Sequence, residues 1–371
     1  MRILLSGGGT AGHVSPVLAV ADALKRRDKS VQFLYIGRAS GIEAGLVRAA
    51  KLPFRPVLGG KFRRLPGRGV LGNLGLTNLV LNLRDIILVF LAAFQAMWHI
   101  LWFRPDVIFN KAGTVGLPVG LAAWALRVPM VIHEPDSTPG LNNKILAKWA
   151  AQVAVGFPVE VYRFWHRHLI FTGTPVRPEL MKAKRLAGLD HFGFDRDLPT
   201  VLVIGGSQGA HNINQLVETI IDELTRGCQV IHVTGPAEYG EIRKRGGDRY
   251  FVASYLKDDF ALAYAAADVV VSRAGANTIA ELATLAKPSI IIPNRQMAAH
   301  QVGNARRLDQ AGAAVVLNEA KLSSAQFLDT ILDIVNNPSK RAELSHNIKQ
   351  FGAKDAADKL AQVILQAGGD R

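Results

Sequence analysis

Residues 1–13, MRILLSGGGTAGH, carry a short apolar segment into a glycine-rich turn, and residues 200–212, TVLVIGGSQGAHN, repeat the arrangement in the second half of the chain. Arg2 to Leu5 and Val201 to Ile204 are too short for helices and too apolar for surface loops, so both read as buried strands. The glycine runs then fall at strand-to-helix turns. Small residues there let the backbone approach a phosphate, and the first N–H groups of the following helix point at it with the positive end of the dipole. Glycine used merely to turn the chain tightly gives the same pattern; two matching loops, one per half, favour phosphate. Neither loop continues into Gly-Lys-Ser/Thr, and neither has the G-x-G-x-x-G spacing, which argues against ATP hydrolysis and dinucleotide binding.

Outward from these turns, short apolar runs alternate with helical patterns such as Val17 to Arg26, the mark of parallel sheets covered by helices. Further strand candidates are Val31 to Ile36, Val107 to Phe109, Met130 to His133 and Val153 to Val155. In the second half they are Gln229 to Val233, Arg249 to Val252, Val269 to Val271 and Ser289 to Ile292. The fold class is α/β, with one doubly wound, Rossmann-like unit in each half. A length of 371 residues suits two domains, and 49% hydrophobic with 20% charged residues excludes disorder as the main state. Residues 173–199, with Pro175, Pro178, Pro199, several charges and little periodicity, are expected to connect the domains. Asp195 and Asp197 in that stretch read as a solvated turn and not as a metal clamp.

Cys228 is the lone cysteine, so an internal disulfide and a cysteine metal cluster are excluded and a reducing compartment is expected. Arg2 is followed only by Ile3 to Leu5 before the glycine turn, too little for a signal-peptide core, so the chain is expected to stay in the cytoplasm. The net charge of +14 is lopsided. Residues 1–171 hold 21 Lys and Arg against 8 Asp and Glu, whereas residues 172–371 hold 23 against 22. The densest basic cluster, Lys61, Arg63, Arg64 and Arg68, precedes the most apolar stretch, Asp85-IILVFLAAFQAMWHILWF-Arg104. Three readings of that stretch stand: a transmembrane span interrupted by Gln95 and His99, a buried core helix, or a helix that packs by one side and dips Trp98, Trp102 or Phe103 into an anionic membrane surface. The cluster lacks interleaved aromatics, and no nucleic-acid signature is present, so nucleic acid is not an expected partner.

GGGTAGHVSP at the start, HEPDSTPGLNNKILAKWA from His133, TGTPVRPE from Thr172, GGSQGAHNIN from Gly205 and SRAGANTIAELATLAKPSIIIP from Ser272 resemble, in order, segments of the MurG-type N-acetylglucosaminyltransferases of bacterial cell-wall synthesis. The resemblance spans most of the chain. It implies a GT-B fold, two Rossmann-like domains facing across a cleft: residues 1–172 for the acceptor and the membrane, the 173–199 connection, and residues 200–371 for the UDP-sugar, with a last helix that can pack back on the first domain. It further implies inverting transfer of N-acetylglucosamine from its UDP conjugate to an undecaprenyl-diphospho-muramoylpentapeptide, by a peripheral enzyme on the cytoplasmic face of the membrane.

On the donor side, Glu281 lies where the family binds a ribose diol, although a helix-surface charge would look the same. The amides near Ala276, Asn277 and Thr278 can face a diphosphate. Ser207, Gln208 and Asn214 offer hydrogen bonds to phosphate or sugar hydroxyls, and Thr10, Ala11 and Gly12 of the first glycine turn join them. Arg177 can stabilise the departing diphosphate, a task other enzymes give to a metal, or can form a structural ion pair. No cofactor or essential metal is expected. Gln301 resembles a family glutamine that contacts the donor sugar; His300 stands where a second glutamine is common. For catalysis, an imidazole ordinarily titrates near neutrality, so His13 can take a proton from an attacking hydroxyl, with Glu134 as competing or assisting base; His13 as a helix cap or phosphate ligand is the plainer reading. Acceptor candidates are Thr114, Asp136 and Asn143, with Lys111 beside them. The family commonly has an aromatic residue at Thr114, Gln-Asn at Pro135-Asp136 and glycine at Ala11. A transferase using a UDP-sugar and a different lipid or small-molecule acceptor is therefore the alternative.

Overall fold

The structure, a computed structural model, describes residues 1–8, 11–39, 42–59, 76–162, 168–206, 208–257, 259–294 and 299–369. The basic cluster at 61–68 lies outside them, as do Thr10 and Ser207. The chain forms two units, Met1–Pro175 with Lys354–Arg371, and Val176–Ala353.

Unit 1 is built on seven strands: β1 (Arg2–Gly8), β2 (Gln32–Arg38), β3 (Phe54–Val57), β4 (Val107–Gly113), β5 (Met130–Glu134), β6 (Gln152–Val155) and β7 (Leu169–Phe171). Their order is β3-β2-β1-β4-β5-β6-β7, all parallel. Its helices are α1 (Ala11–Arg27), α2 (Ile42–Ala49), α3 (Leu76–Phe103), α4 (Gly116–Ala125) and α5 (Leu141–Leu146). Unit 2 has β8 (Thr200–Ile204), β9 (Gln229–Val233), β10 (Tyr250–Ala253), β11 (Val269–Ser272), β12 (Ser289–Ile291) and β13 (Val315–Val316), in the order β10-β9-β8-β11-β12-β13. Its helices run from α6 (Pro178–Lys182) and α7 (Arg185–Phe192) through α8 (His211–Leu224), α9 (Tyr239–Ile242), α10 (Phe260–Ala266), α11 (Ala276–Thr284), α12 (Ala299–Gln310) and α13 (Ser324–Asn336) to α14 (Pro338–Ile348). The last helix, α15 (Ala356–Gly369), belongs to unit 1, where Leu360, Ala361, Val363 and Ile364 share a core with α1 and β1. Each sheet reverses its strand order once, between β1 and β4 and between β8 and β11, and the carboxyl ends of strands at such a reversal form the natural ligand crevice of an open α/β sheet.

The two halves pack alike because their sequences have the same period. Val14, Val17, Ala21 and Leu24 of α1 and Ile213, Val217, Ile221 and Leu224 of α8 fall on one helical face, and each set is buried against its sheet. Within the stretch 173–199, α6 and α7 are part of unit 2. Leu189 and Phe192 are buried, and a Cβ on Gly188 would lie 2.4 Å from the Leu262 carbonyl oxygen, so α7 presses directly on the backbone of α10. Beyond it, the Asp195 carboxylate accepts the Asp197 N–H at 2.9 Å, a local side-chain turn.

The apolar stretch forms α3, long and apolar enough to cross a membrane by length and composition. Its packing removes one of the readings. Val89, Ala92, Ala96 and Ile100 are buried along one face and Asp85 is 2% exposed, whereas Phe90, Leu91, Phe94, Trp98, Leu101 and Trp102 are exposed, Trp98 to 71%. The polar interruptions belong to the docked side: the Gln95 side-chain oxygen accepts the Leu58 N–H at 2.8 Å, and His99 bonds the Pro56 backbone. A wholly buried core helix is thereby excluded; α3 packs by one face and leaves an aromatic stripe uncovered. Arg55 sits 5.5 Å over the Trp102 ring. On the same unit, Trp124 and Trp149 stack 4.9 Å apart and both are exposed.

Candidate active site

In unit 1 the reversal point is pinned by glycine. Gly113 has φ +82°, and a Cβ there would lie 2.0 Å from the Gly8 carbonyl oxygen, so β1 and β4 can meet at their carboxyl ends only without side chains. A Cβ on Gly7 would meet the His13 carbonyl oxygen at 3.1 Å and the Lys111 Cβ at 3.5 Å, which places the first turn of α1 and the end of β4 on either side of the β1 terminus. His13 is half-buried in that first turn.

Behind it lies a buried titratable cluster. Lys111 is fully buried, with its Nζ 2.8 Å from His133 Nδ1, and His133 Nε2 lies 3.0 Å from the Gly173 carbonyl oxygen. An ammonium only donates, so Nδ1 accepts and Nε2 carries the proton that bonds Gly173, which fixes the tautomer. Burial pulls Lys111 down to about 8, against the charges of Glu134 and Asp136, and holds His133 well below its usual range, helped by Lys111 and His13. Glu134 ends β5. Its Oε1 accepts the Asp136 N–H at 3.0 Å, while Oε2 accepts the Gly140 N–H at 2.9 Å and the Asn143 amide at 3.0 Å. Burial and the Asp136 charge push Glu134 up to about 7 in spite of those three donors. Among the described residues, the Asn143 side-chain oxygen and the Thr114 hydroxyl are buried with no hydrogen-bond partner. Asn142 ties this loop to the Thr114 turn through the Gly113 carbonyl at 3.1 Å.

The structure thus gathers Lys111, His133, Glu134, Asp136 and Asn143 into one linked set, with His13 close enough to act on His133. Glu134, expected as a competing base, is 2% exposed, and its oxygens are held by its own loop; its geometry is that of a loop organiser. Lys111 and His133 acquire their roles only in three dimensions. So does Glu43 of α2, which is fully buried, accepts the Arg38 N–H at 3.0 Å and carries a second oxygen with no hydrogen-bond partner. Ala11 and Gly12 open α1 and so belong to unit 1, whereas Arg177, Gln208, Asn214, Ala276, Asn277, Thr278, Glu281 and Gln301 belong to unit 2.

In unit 2, α8 and α11 both start at the reversal point, after Ala210 and Gly275, which make no side-chain capping bond. Gly209, φ +80°, lets its turn touch the next: a Cβ would lie 2.0 Å from the Thr234 carbonyl oxygen. Gln208 is exposed, and Ala276, Asn277 and Thr278 are half-buried at the start of α11. One turn further, Glu281 accepts the Tyr264 hydroxyl at 3.1 Å; burial raises it to about 7, opposed by Arg177 and that hydroxyl. The Arg177 guanidinium lies 4.1 Å over the Phe260 ring. The Gln301 side-chain oxygen accepts the Asn294 N–H at 3.1 Å, and His300 is exposed.

Asn214 requires a correction. Expected to reach phosphate or a sugar hydroxyl, it lies on the buried face of α8, fully enclosed. Its amide donates to the Thr234 carbonyl at 2.9 Å and to Glu238 at 2.6 Å, and its oxygen lies 3.0 Å from His232 Nε2. Both its amide donors and one lone pair of its oxygen are used inside the unit, and it is fully buried, so it braces the α8–β9 packing instead of contacting a ligand.

Models of the glycosyltransferase family 28 N-terminal and C-terminal domains match residues 3–155 and 200–360. The chain is 36% identical to a UDP-N-acetylglucosamine–N-acetylmuramyl-(pentapeptide) pyrophosphoryl-undecaprenol N-acetylglucosamine transferase of Listeria monocytogenes, covering 98% of this chain and 99% of the relative. It is 35% identical to the protein of the same description from Bacillus subtilis strain 168, with the same coverage. Among solved structures, MurG of Acinetobacter baumannii superposes with a TM-score of 0.76 over 98% of this chain and 99% of that one, at 24% identity. A kitacinnamycin glycosyltransferase superposes at 0.73 over 99% and 98%, at 15% identity.

Proposed function

Because the chain belongs to glycosyltransferase family 28, we propose that it transfers N-acetylglucosamine from UDP-N-acetylglucosamine to an undecaprenyl-diphospho-muramoylpentapeptide, with inversion at the anomeric carbon. The full-length similarity to curated transferases of that description carries the reading. In unit 2, the uncapped starts of α8 and α11 and the guanidinium of Arg177 hold the diphosphate. Glu281 accepts hydrogen bonds from the ribose diol, and Gln301 turns its remaining amide donors toward the sugar. As the acceptor oxygen bonds to the anomeric carbon and the bond to UDP breaks, negative charge moves onto the diphosphate, where Arg177 offsets it without a metal. In unit 1, His13 takes the hydroxyl proton. Glu134 orders the 134–143 loop, so that Asn143, Asp136 and Thr114 present polar atoms to the acceptor.

The exposed aromatic stripe of α3, in a half of the chain that carries most of the net positive charge, suits a peripheral seat on an anionic membrane on its cytoplasmic face, where a lipid-linked acceptor resides. The test is turnover with UDP-N-acetylglucosamine and a muramoyl-pentapeptide lipid analogue, followed by release of UDP and appearance of the disaccharide lipid. UDP release only with another lipid or small-molecule acceptor would reassign the acceptor; tight UDP binding without turnover would remove the transferase reading.

A further inference from the structure

Helix α10 carries two aromatic side chains one turn apart, Phe260 and Tyr264, and each touches a different charged group of the donor unit. The Phe260 ring lies under the Arg177 guanidinium at 4.1 Å, and Tyr264 donates its hydroxyl to Glu281 Oε2 at 3.1 Å. The two rings meet edge to face, 5.0 Å apart at 68°. Tyr264 is fully buried, so its hydroxyl has no water to turn to, and burial together with the Glu281 charge keeps it protonated and a donor. The platform is held from behind, since Gly188 of α7 allows that helix to press on the α10 backbone at Leu262. A carboxylate with one oxygen bonded to a buried phenol cannot rotate freely, and a guanidinium stacked on a fixed ring keeps its plane.

We propose that Phe260 and Tyr264 are positioning residues that hold Arg177 and Glu281 in the geometry that reads a nucleoside diphosphate: the Tyr264 hydroxyl sets Glu281 for the ribose 2′ and 3′ hydroxyls, and the Phe260 face sets Arg177 for the phosphates. The proposal rests on the assignment of Glu281 to ribose and Arg177 to diphosphate. Neither aromatic side chain need touch the nucleotide. Tyr264→Phe keeps the ring and its contact with Phe260 and removes only the hydroxyl. Phe260→Leu keeps bulk and removes the aromatic face.

The experiment compares dissociation constants of UDP, 2′-deoxy-UDP and uridine for the full chain by calorimetry. The wild type should prefer UDP over 2′-deoxy-UDP by about tenfold, as for a hydrogen bond to a charged group. Tyr264→Phe should narrow that preference at least about threefold while leaving the UDP-to-uridine preference in place, because loss of one buried donor frees Glu281 alone. Phe260→Leu should do the converse, narrowing the preference for UDP over uridine and sparing the deoxy discrimination. General loosening of unit 2 would weaken all three ligands together, so unchanged ratios in both variants overturn the proposal. A wild type indifferent to the 2′ hydroxyl, or to the phosphates, instead overturns the ribose or diphosphate assignment beneath it.

Discussion

Units 1 and 2 share a strand order around their reversal points, yet the groups placed there differ in kind. Unit 1 collects buried titratable side chains, Lys111, His133 and Glu134, whose proton affinities are displaced by burial. Unit 2 places there the starts of two helices, the Arg177 guanidinium and the Glu281 carboxylate, the last steadied by a phenol. The scaffold dictates where a ligand sits; the residues after each strand decide whether that place handles protons or holds an anion.

The sharpest way to break this contrast is His13→Ala. With a general base removed, kcat should fall by about 10²–10⁴ while calorimetry finds UDP affinity unchanged. An equal loss of both would move His13 to the donor side and erase the division of labour. Next, Glu281→Ala should weaken UDP binding by about 1–3 kcal/mol and leave acceptor binding alone; unaltered nucleotide affinity would make Glu281 structural.

A smaller effect is expected from pH. Glu134, raised to about 7, is ionised above that value and then accepts its three loop donors as charge-assisted bonds; as pH falls through 7 it protonates and those bonds weaken. Acceptor KM should therefore rise by a few-fold between about pH 8 and 6, and Glu134→Gln should flatten that dependence. Persistence of the same slope in the variant would assign the titration elsewhere. Least affected should be chemistry in Trp98→Asp, which alters a side chain remote from the proton cluster in sequence and 71% exposed. Turnover of a short-chain soluble acceptor should change by less than about twofold, as for a surface site, while flotation with anionic vesicles falls. Undiminished flotation would remove the stripe from the membrane contact.

Much of this was legible because it is local. The ten apolar runs read as strands all form strands, and the two glycine turns lie at the reversal points. The additional strands β3, β7 and β13 are sheet edges, short and, in β3, broken by Arg55 and Pro56; edge pairing needs no apolar run and leaves no pattern to read. In the proposed site, Glu281 and Arg177 could be named from segments that resemble the family, but Tyr264, 17 positions from Glu281, could not. The Lys111–His133 pair spans 22 residues and two strands, and Asn214 was misread because its helical face, set by tertiary packing, turns it toward His232.

The return of α15 to unit 1 makes unit 2 an insertion in the middle of a discontinuous domain. Residues 176–353 are contiguous and can close their core as soon as they leave the ribosome. Unit 1, although it emerges first, has its core completed only when Leu360, Val363 and Ile364 join the flank of α1. A chain interrupted shortly before its last helix would therefore contain all of unit 2 and lack part of the core of unit 1.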